Sequence, residues 1–568
     1  MRCWQSFNTA AQRTRRATQK GHVSSAKRGH AVERTPAMVA ARERSTRERP
    51  QARLRGQPAP HILDIKPSVA LCVLRVSVLW LLTLAAISGC AFKPQPPRVA
   101  PDFPEQWSGA PGEGIRFPGD TWWTLYQDPA LDALVREALV ANQDIAFAVA
   151  RVDEARALVA RVQSDLYPSV GAGFAPSRTR VSERTAFPIP PGIPVYRTNY
   201  RAAIDAAYEI DLWGRLRAQA DAARSDLLAT EGARDTVRLT VTGDVVRGYY
   251  SLVSLDQQVR VQERALQLRL EGLELQKVRW TAGLITTLDL RRLEAEIDDN
   301  RAQLAVLLQR RDAEERALTV LVGRSPRGIV DAQVARNDTI ALVPPVVPEG
   351  LPSELLLRRP DLFQVEQQLV AANARIFAAR AALFPRVTLT GYLGSESAPF
   401  SALFSGPAGI WQVAGVIAQP IFQAGRLLAD IDLARAREAQ LEAQYRKTIQ
   451  VAFQEVRDAL TAQTRAREAY EAETARAEKL REALKLVLVR YVNGLISQLD
   501  VLDAERNLIQ AETNRAEALA AQRSAVADLV KALGGGWTPE ALLAAERARG
   551  AQVPWWPLPP LSDSQPTR

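Results

Sequence analysis

The chain has 568 residues and a formal net charge of +10, and a basic balance of this size would suit a nucleic-acid-binding protein. The charge is not spread evenly, because residues 1–89 hold 16 Lys and Arg against four Asp and Glu, which leaves −2 for residues 90–568. All three histidines and two of the three cysteines also precede residue 90. The remainder therefore cannot form a histidine–cysteine metal site or a Ser–His or Cys–His catalytic pair. We expect no nucleic-acid partner, no metal and no enzyme.

An export signal ends at Cys90. Arg75 precedes a dozen mostly apolar residues, which are followed by the small residues of Ile87-Ser-Gly-Cys90. A charge, an apolar run and small residues before a cut site are typical of a secretory signal. The alternative is a transmembrane anchor, but a span needs about 20 apolar residues. Ile-Ser-Gly-Cys resembles the bacterial lipobox, so we expect a covalent lipid on Cys90 and no other cofactor.

The segments on either side of this signal differ. Residues 1–65 are Arg-rich and without a helical or strand period, so they are either disordered or follow from a start codon placed too far upstream, which we favour. Residues 90–118 are rich in Pro and Gly and are predicted to form a lipid-anchored tether. Ala91 follows the cysteine where inner-membrane lipoproteins usually carry Asp, which favours the outer membrane.

The mature chain is a tandem duplication with an offset of 211 residues. This offset relates Gly283 to Gly494, and it also carries Gly214-Arg-Leu onto Gly425-Arg-Leu. Three landmarks in one register, the third being Gly323 and Gly534, establish a repeat. The predicted domains are repeat 1 (119–324), an inter-repeat linker (325–352), repeat 2 (353–537) and an irregular tail (538–568).

Each copy is predicted to contain a helix, a pair of strands and a long helical hairpin. The strand pairs fall within 167–212 and 385–422, where apolar and polar residues alternate in segments of about ten, as in outer-membrane barrels. A half-buried sheet of a soluble protein is the alternative. The hairpins span 214–322 and 425–533, and their first helices, at about 66 residues, would be about 100 Å long. This composition alone would also suit a coiled coil.

The strand count predicts an oligomer. Each chain supplies four strands, whereas a bacterial membrane barrel needs about eight, because an open sheet edge in lipid leaves backbone groups unpaired. Strands from several copies must therefore close together, and the long helices must project into the periplasm. A closed barrel continued by a helical tube would be a conduit.

The hairpin turns carry a resemblance to a known family. Arg490-Tyr-Val-Asn-Gly-Leu with Leu499-Asp-Val-Leu-Asp503, together with the duplicated strand pairs, is similar to the TolC family of outer-membrane factors. The lipobox and Trp122-Trp123 resemble its lipoprotein branch, which serves resistance-nodulation-division efflux pumps. The resemblance implies a mainly α protein with β-structure: a homotrimer with a 12-stranded β-barrel, a 12-helix periplasmic α-barrel and an equatorial belt.

The resemblance also implies a function and partners. We expect a passive exit duct for small molecules that works with a periplasmic adaptor protein and an inner-membrane transporter of the resistance-nodulation-division type. A type I secretion duct and a lipid-anchored coiled-coil scaffold without a pore remain as alternatives.

Site residues follow from the family's turn motif. The second turn places Asp500 and Asp503 one helical turn apart, where three chains would form two rings of carboxylates at the periplasmic gate. Tyr491 and Asp289 correspond to the pair that links neighbouring hairpins. Ile496 stands where the best-known member has a latch arginine, so that latch is not expected here. The adaptor is expected to dock on the tips, at Gly283, Leu284, Gly494 and Leu495.

Overall fold

The computed structural model describes residues 119–184, 190, 192–331, 333–337 and 358–550. Cys90, the leader and the predicted tether up to residue 118 lie outside these residues, as do residues 332 and 338–352 of the linker.

The first copy opens with a 3₁₀ segment and continues with four helices and two strands. In chain order these are Gly119–Tyr126, α1 (Pro129–Ala141), α2 (Gln143–Ser164), β1 (Ser169–Arg180), β2 (Tyr196–Ile210), α3 (Arg215–Thr281) and α4 (Thr287–Val322). A short helix α5 (Pro326–Val330) begins the linker. The second copy and the tail contain α6 (Pro360–Ala381), β3 (Arg386–Ser397), β4 (Gly409–Ala418), α7 (Arg426–Val492), α8 (Gln498–Ala532) and α9 (Glu540–Gly550).

The predicted repeat is visible in these elements, since α3 and α7 both contain 67 residues. The single helix predicted to open the first copy is divided in two at Asn142, whose side chain caps Ile145 N and donates a 2.7 Å hydrogen bond to Leu321 O. The prediction of an irregular tail was wrong at its start, where helix α9 forms over Glu540–Gly550.

The four strands form one antiparallel sheet in the order β1-β2-β3-β4. Ile204 pairs with Leu393 and Leu393 with Trp411, and these side chains are between 53% and 75% exposed on one face. The opposite face is polar. There Arg201 lies 3.2 Å from Asp205 and its guanidinium sits 4.5 Å from the centre of the Tyr392 ring. In the part of the chain that the structure describes, β1 and β4 each pair with one strand only, so both edges are open.

The helices pack side by side in two rows that share α3 and α7. Next to the sheet the order is α2, α3, α6 and α7, and toward the hairpin tips it is α4, α3, α8 and α7. None of the described helices combines the length and the apolar character that crossing a membrane requires. At every level, first-copy elements lie at one end of the row and second-copy elements at the other.

A cluster of buried side chains joins the copies midway along α3, and we call it the waist core. Trp122, Trp123 and Tyr126 are at most 4% exposed and pack against α3, α4 and α8. The Tyr126 hydroxyl donates to Arg523 O at 2.7 Å, and the Tyr249 hydroxyl donates to Asp128 Oδ2 at the same distance. Asp128 also caps α1. The Trp-Trp motif is therefore a structural anchor.

Two equivalent glycines end the return helices at the waist core. Gly323 after α4 and Gly534 after α8 have φ values of +85° and +88°, a conformation that favours glycine. A Cβ on Gly323 would lie 2.1 Å from Ala141 O, and one on Gly534 would lie 2.5 Å from Arg358 O. Both positions need glycine because another stretch of backbone passes against them.

Candidate functional site: the hairpin tips

The two hairpin tips have the same backbone geometry. Gly283 N donates to Trp280 O and Leu284 N to Arg279 O, each at 2.9 Å, and Gly494 and Leu495 repeat both bonds at 2.9 Å. These bonds cap the last carbonyls of α3 and α7 and require a left-handed glycine, with φ of +72° and +71°. The predicted tip residues therefore define two superposable turns.

An exposed apolar surface recurs on both tips, and we call it the tip patch. In the first copy it consists of Leu275, Val278, Leu284 and Leu288, and in the second of Leu486, Val489, Leu495 and Leu499. These eight side chains are between 45% and 69% exposed. An exposed apolar surface that has survived in both halves of a diverged repeat indicates contact with another molecule.

Asp289 and Asp500 are the capping acids of the return helices. Asp500 Oδ2 accepts from Ser497 N at 2.9 Å and from Ser497 Oγ at 2.7 Å, and Asp289 accepts the same two bonds from Thr286. The Ser497 hydroxyl, and then its N–H, lower the pKa of Asp500 below the ordinary 3.8. Thr286 lowers the pKa of Asp289 in the same way. Both groups are therefore anionic at neutral pH.

The second predicted gate acid is placed differently. Asp503 lies one turn beyond Asp500, is 56% exposed, and its Oδ1 is 3.7 Å from Arg506 Nη1. The first copy carries Arg292 at the equivalent position. The two acids of α8 thus follow each other along the helix, but the hydrogen bonds from Ser497 go only to Asp500.

The predicted link between Tyr491 and Asp289 is not made within the chain. The Tyr491 hydroxyl instead accepts from Gln276 Nε2 at 2.8 Å and from Arg279 Nη1 at 2.9 Å. The Arg279 guanidinium also lies 5.7 Å from the centre of the Tyr491 ring. Tyr491 thus joins the two hairpins of the chain through partners on α3.

Sequence reasoning missed a buried ion network above the tips. Arg269 on α3 is only 5% exposed, with Nη2 3.6 Å from Glu296 on α4 and Nε 3.7 Å from Glu505 on α8. Arg506 also pairs with Glu296. Burial raises the pKa of Glu505, which Arg269 opposes. The only signal in the sequence was an arginine on the apolar seam of a helix.

An open sheet with an apolar face, set on two long helical hairpins that end in matching turns, defines one subunit of an outer-membrane channel. The family model for outer membrane efflux proteins matches residues 134–324 and 351–535, one match for each copy. The chain belongs to this family.

Curated relatives agree with this assignment. The chain is 32% identical over 463 residues to the solvent efflux pump outer membrane protein SrpC of Pseudomonas putida. The aligned region covers 80% of this chain and 97% of SrpC. The cation efflux system protein CusC of Escherichia coli O6:H1 is 30% identical over 459 positions, covering 80% and 97%.

A solved structure shows the same fold. The Campylobacter jejuni CmeC outer membrane channel superposes with a TM-score of 0.73 and 25% identity, covering 77% of this chain and 93% of CmeC. The chain is therefore the outer-membrane channel of a tripartite efflux system, as the sequence predicted.

Proposed function

We propose that three copies of the chain close into a 12-stranded barrel and a 12-helix tube that serve as a passive exit duct. The observation that carries this proposal is the pair of open edges, β1 and β4, on a sheet whose apolar face is exposed. Exposed backbone donors and acceptors in lipid are costly, so each edge needs a partner strand.

The packing order supports a ring in which every copy contacts its neighbour in the same way. β4 lies at one end of the sheet and α7 at the same end of both helix rows, whereas β1, α2 and α4 lie at the other end. One rotation therefore brings β4 to the next copy's β1 and α7 to the next copy's α2 and α4. Such head-to-tail contacts close when the rotation closes.

The cargo is proposed to be small molecules that the duct does not itself select. SrpC is named for solvents and CusC for cations, yet the chain is 32% and 30% identical to them. Because the chain is about equally similar to relatives named for such different cargo, we propose that the pump, and not the duct, selects the transported molecule. We assign the chain no enzymatic activity and no cofactor apart from a lipid on Cys90 that anchors it in the outer membrane.

The partners are proposed to be a periplasmic adaptor and a transporter of the resistance-nodulation-division type. The tip patch supports this, because its exposed leucines and valines suit the apolar side of a helical hairpin. Since both tips of one chain carry the patch, a trimer would offer six equivalent docking positions around the mouth of the tube.

Asp500 and Asp503 are proposed to line the periplasmic gate. Three copies would place two rings of acids near the tips, and carboxylate rings favour cations. The hydrogen bonds from Ser497 support a persistent negative charge on Asp500 over the periplasmic pH range.

Two measurements on the purified, detergent-extracted protein test this proposal. We expect an SDS-resistant trimer that heating converts to monomers, and ion channels when the same sample is added to planar bilayers. Palmitate labelling should be lost in Cys90→Ala while the trimer persists. A monomer without channel activity would favour the scaffold and overturn the proposed duct.

A further inference from the structure

The contact between the two hairpins of one chain predicts a second contact, between neighbouring chains, at the tips. Within the chain, Arg279 at the end of α3 donates to Tyr491 at the end of α7 and lies over its ring. The 211-residue offset carries Arg279 onto Arg490 and Trp280 onto Tyr491. Both tips therefore hold an arginine followed by an aromatic residue.

The equivalence of the two tips extends to their geometry. The turns make the same backbone bonds at 2.9 Å, and both return helices begin with a hydroxyl residue and an acid three positions later. In the ring described above, hairpin 2 of one copy is followed by hairpin 1 of the next, as hairpin 1 is followed by hairpin 2 within a copy. The relation that brings Arg279 to Tyr491 then brings Arg490 to Trp280 of the next copy.

The side chains at these positions are available for the contact. Trp280 is 42% exposed, and its indole N–H donates to Thr287 Oγ1 at 3.2 Å, which fixes the ring. The Arg490 guanidinium forms no hydrogen bond or ion pair with the residues that the structure describes, although its charge acts on Asp500. An arginine over an indole face is a favourable cation–π arrangement.

We infer that Arg490 of each copy packs on the Trp280 ring of the next copy and closes the seam between chains at the tip. This inference rests on the proposed ring and adds a latch where Ile496 cannot supply one. The contact between chains is the weaker of the two seams. Val487 replaces Gln276, and indole lacks the hydroxyl that accepts two hydrogen bonds in Tyr491. When the tips part, the seams between chains separate first.

Cross-linking tests the contact. The double variant Arg490→Cys, Trp280→Cys, treated with a short bismaleimide, should give covalent dimers and trimers on denaturing gels after boiling, whereas neither single variant should. The matched pair Arg279→Cys, Tyr491→Cys should react within one chain, so that it still runs as a monomer on the gel and gains the mass of one bismaleimide for the two thiols lost. The inference would be overturned if both double variants form SDS-resistant trimers and the matched pair reacts, but the pair Arg490→Cys, Trp280→Cys gives no linked chains. Absence of any oligomer would instead contradict the proposed duct.

Bilayer currents give a second readout. Replacing Trp280 by Ala removes the ring, so open probability should rise roughly two- to five-fold, as expected for an exposed cation–π contact. Trp280→Phe keeps an aromatic face and should stay close to the unmodified protein. Equal currents from the Ala and Phe variants would show that the ring face does not hold the seam.

Discussion

The two hairpins have the same length and the same turns, but they are buried to very different extents. Helix α3 has 27 buried residues and α7, also of 67 residues, has six. The difference follows from position, because α3 lies inside both helix rows of its own chain whereas α7 lies at their edge. The two hairpins are copies of one repeat, but their surroundings differ. The first hairpin is covered by its own chain on both sides, and the second needs the next copy to cover one side.

The seams of the two hairpins differ in the same sense. Buried polar residues follow the seam of α3, where Asn300 donates to Gln262 at 2.9 Å and Arg269 meets its two glutamates. The equivalent positions in the second hairpin are apolar in four of five cases, and two of those four are alanine. The residues of the first copy, in order, are Gln258, Gln262, Arg269, Gln276 and Asn300, and those of the second are Ala469, Glu473, Leu480, Val487 and Ala511. The first hairpin is held in register by specific polar contacts, and the second can slide more easily.

The largest expected effect concerns the edge strand of the second copy. Val413 on β4 is 77% exposed on the apolar face, so Val413→Arg should prevent trimer formation in membranes, at a cost of about 2–4 kcal/mol per chain. Gln412→Arg, one residue away and on the opposite face, is the matched control and should assemble. Heat-modifiable trimer in membrane extracts is the measurement, and equal trimer yields would contradict the assigned faces.

The next effect concerns the network of the first hairpin. Arg269→Ala should leave Glu505 without a cation and Glu296 with Arg506 alone, at a cost of about 3 kcal/mol. Arg301→Ala removes an exposed pair with Asp298 and should cost less than about 0.5 kcal/mol. Amide hydrogen exchange along α3 and α4 measures both. Unchanged protection in the Arg269 variant would show that the network does not hold the hairpin together.

A change at the tips should abolish transport with little effect on stability. A Cβ at Gly494 meets nothing within 4 Å, so Gly494→Trp should cost about 1 kcal/mol for its left-handed conformation and still form trimers. Drug tolerance of the producing strain should be lost, because the indole blocks the tip patch. Gly283→Trp should behave alike if both tips dock, whereas Gly272→Trp, higher on α3, should remain active. Normal tolerance with Gly494→Trp would rule out the docking role.

The smallest effect concerns Asp500 and Asp503, which lie one turn apart on α8. The first copy has Asp289 and Arg292 at these positions, so only the second hairpin carries two acids. Asp500→Ala with Asp503→Ala should reduce cation preference in bilayers under a KCl gradient, and Asp289→Ala should not. Because the folded pKa of Asp500 is lowered, its charge should persist as the pH falls through the ordinary pKa of 3.8 and should disappear only at the lower folded value. Cation preference that falls already between pH 7 and 5 would contradict this assignment.

Local patterns predicted most of the fold. The hairpins were expected at 214–322 and 425–533, and their return helices end at Val322 and Ala532, because glycines mark these ends in the sequence. The break at Asn142 could not be predicted, since its partner Leu321 is 179 residues away. The partner of Tyr491 was missed for a related reason. Residue types identified a link between hairpins, but not that Gln276 and Arg279 on α3 lie within hydrogen-bond distance of the Tyr491 hydroxyl.

The waist core and its two glycines also determine how far the hairpin tips move when the helices tilt. Gly323 and Gly534 let neighbouring backbones pass so closely that the helices cannot easily shift against one another there. Tyr249 in the waist core and Thr281 at the tip are 32 residues apart, so the part of α3 below the waist core is about 50 Å long. One degree of tilt at the waist core then moves the tip by about 1 Å. Opening the mouth of the tube by the width of a small molecule therefore requires each arm to tilt by only a few degrees. A tilt of this size need not change the structure of the β-barrel.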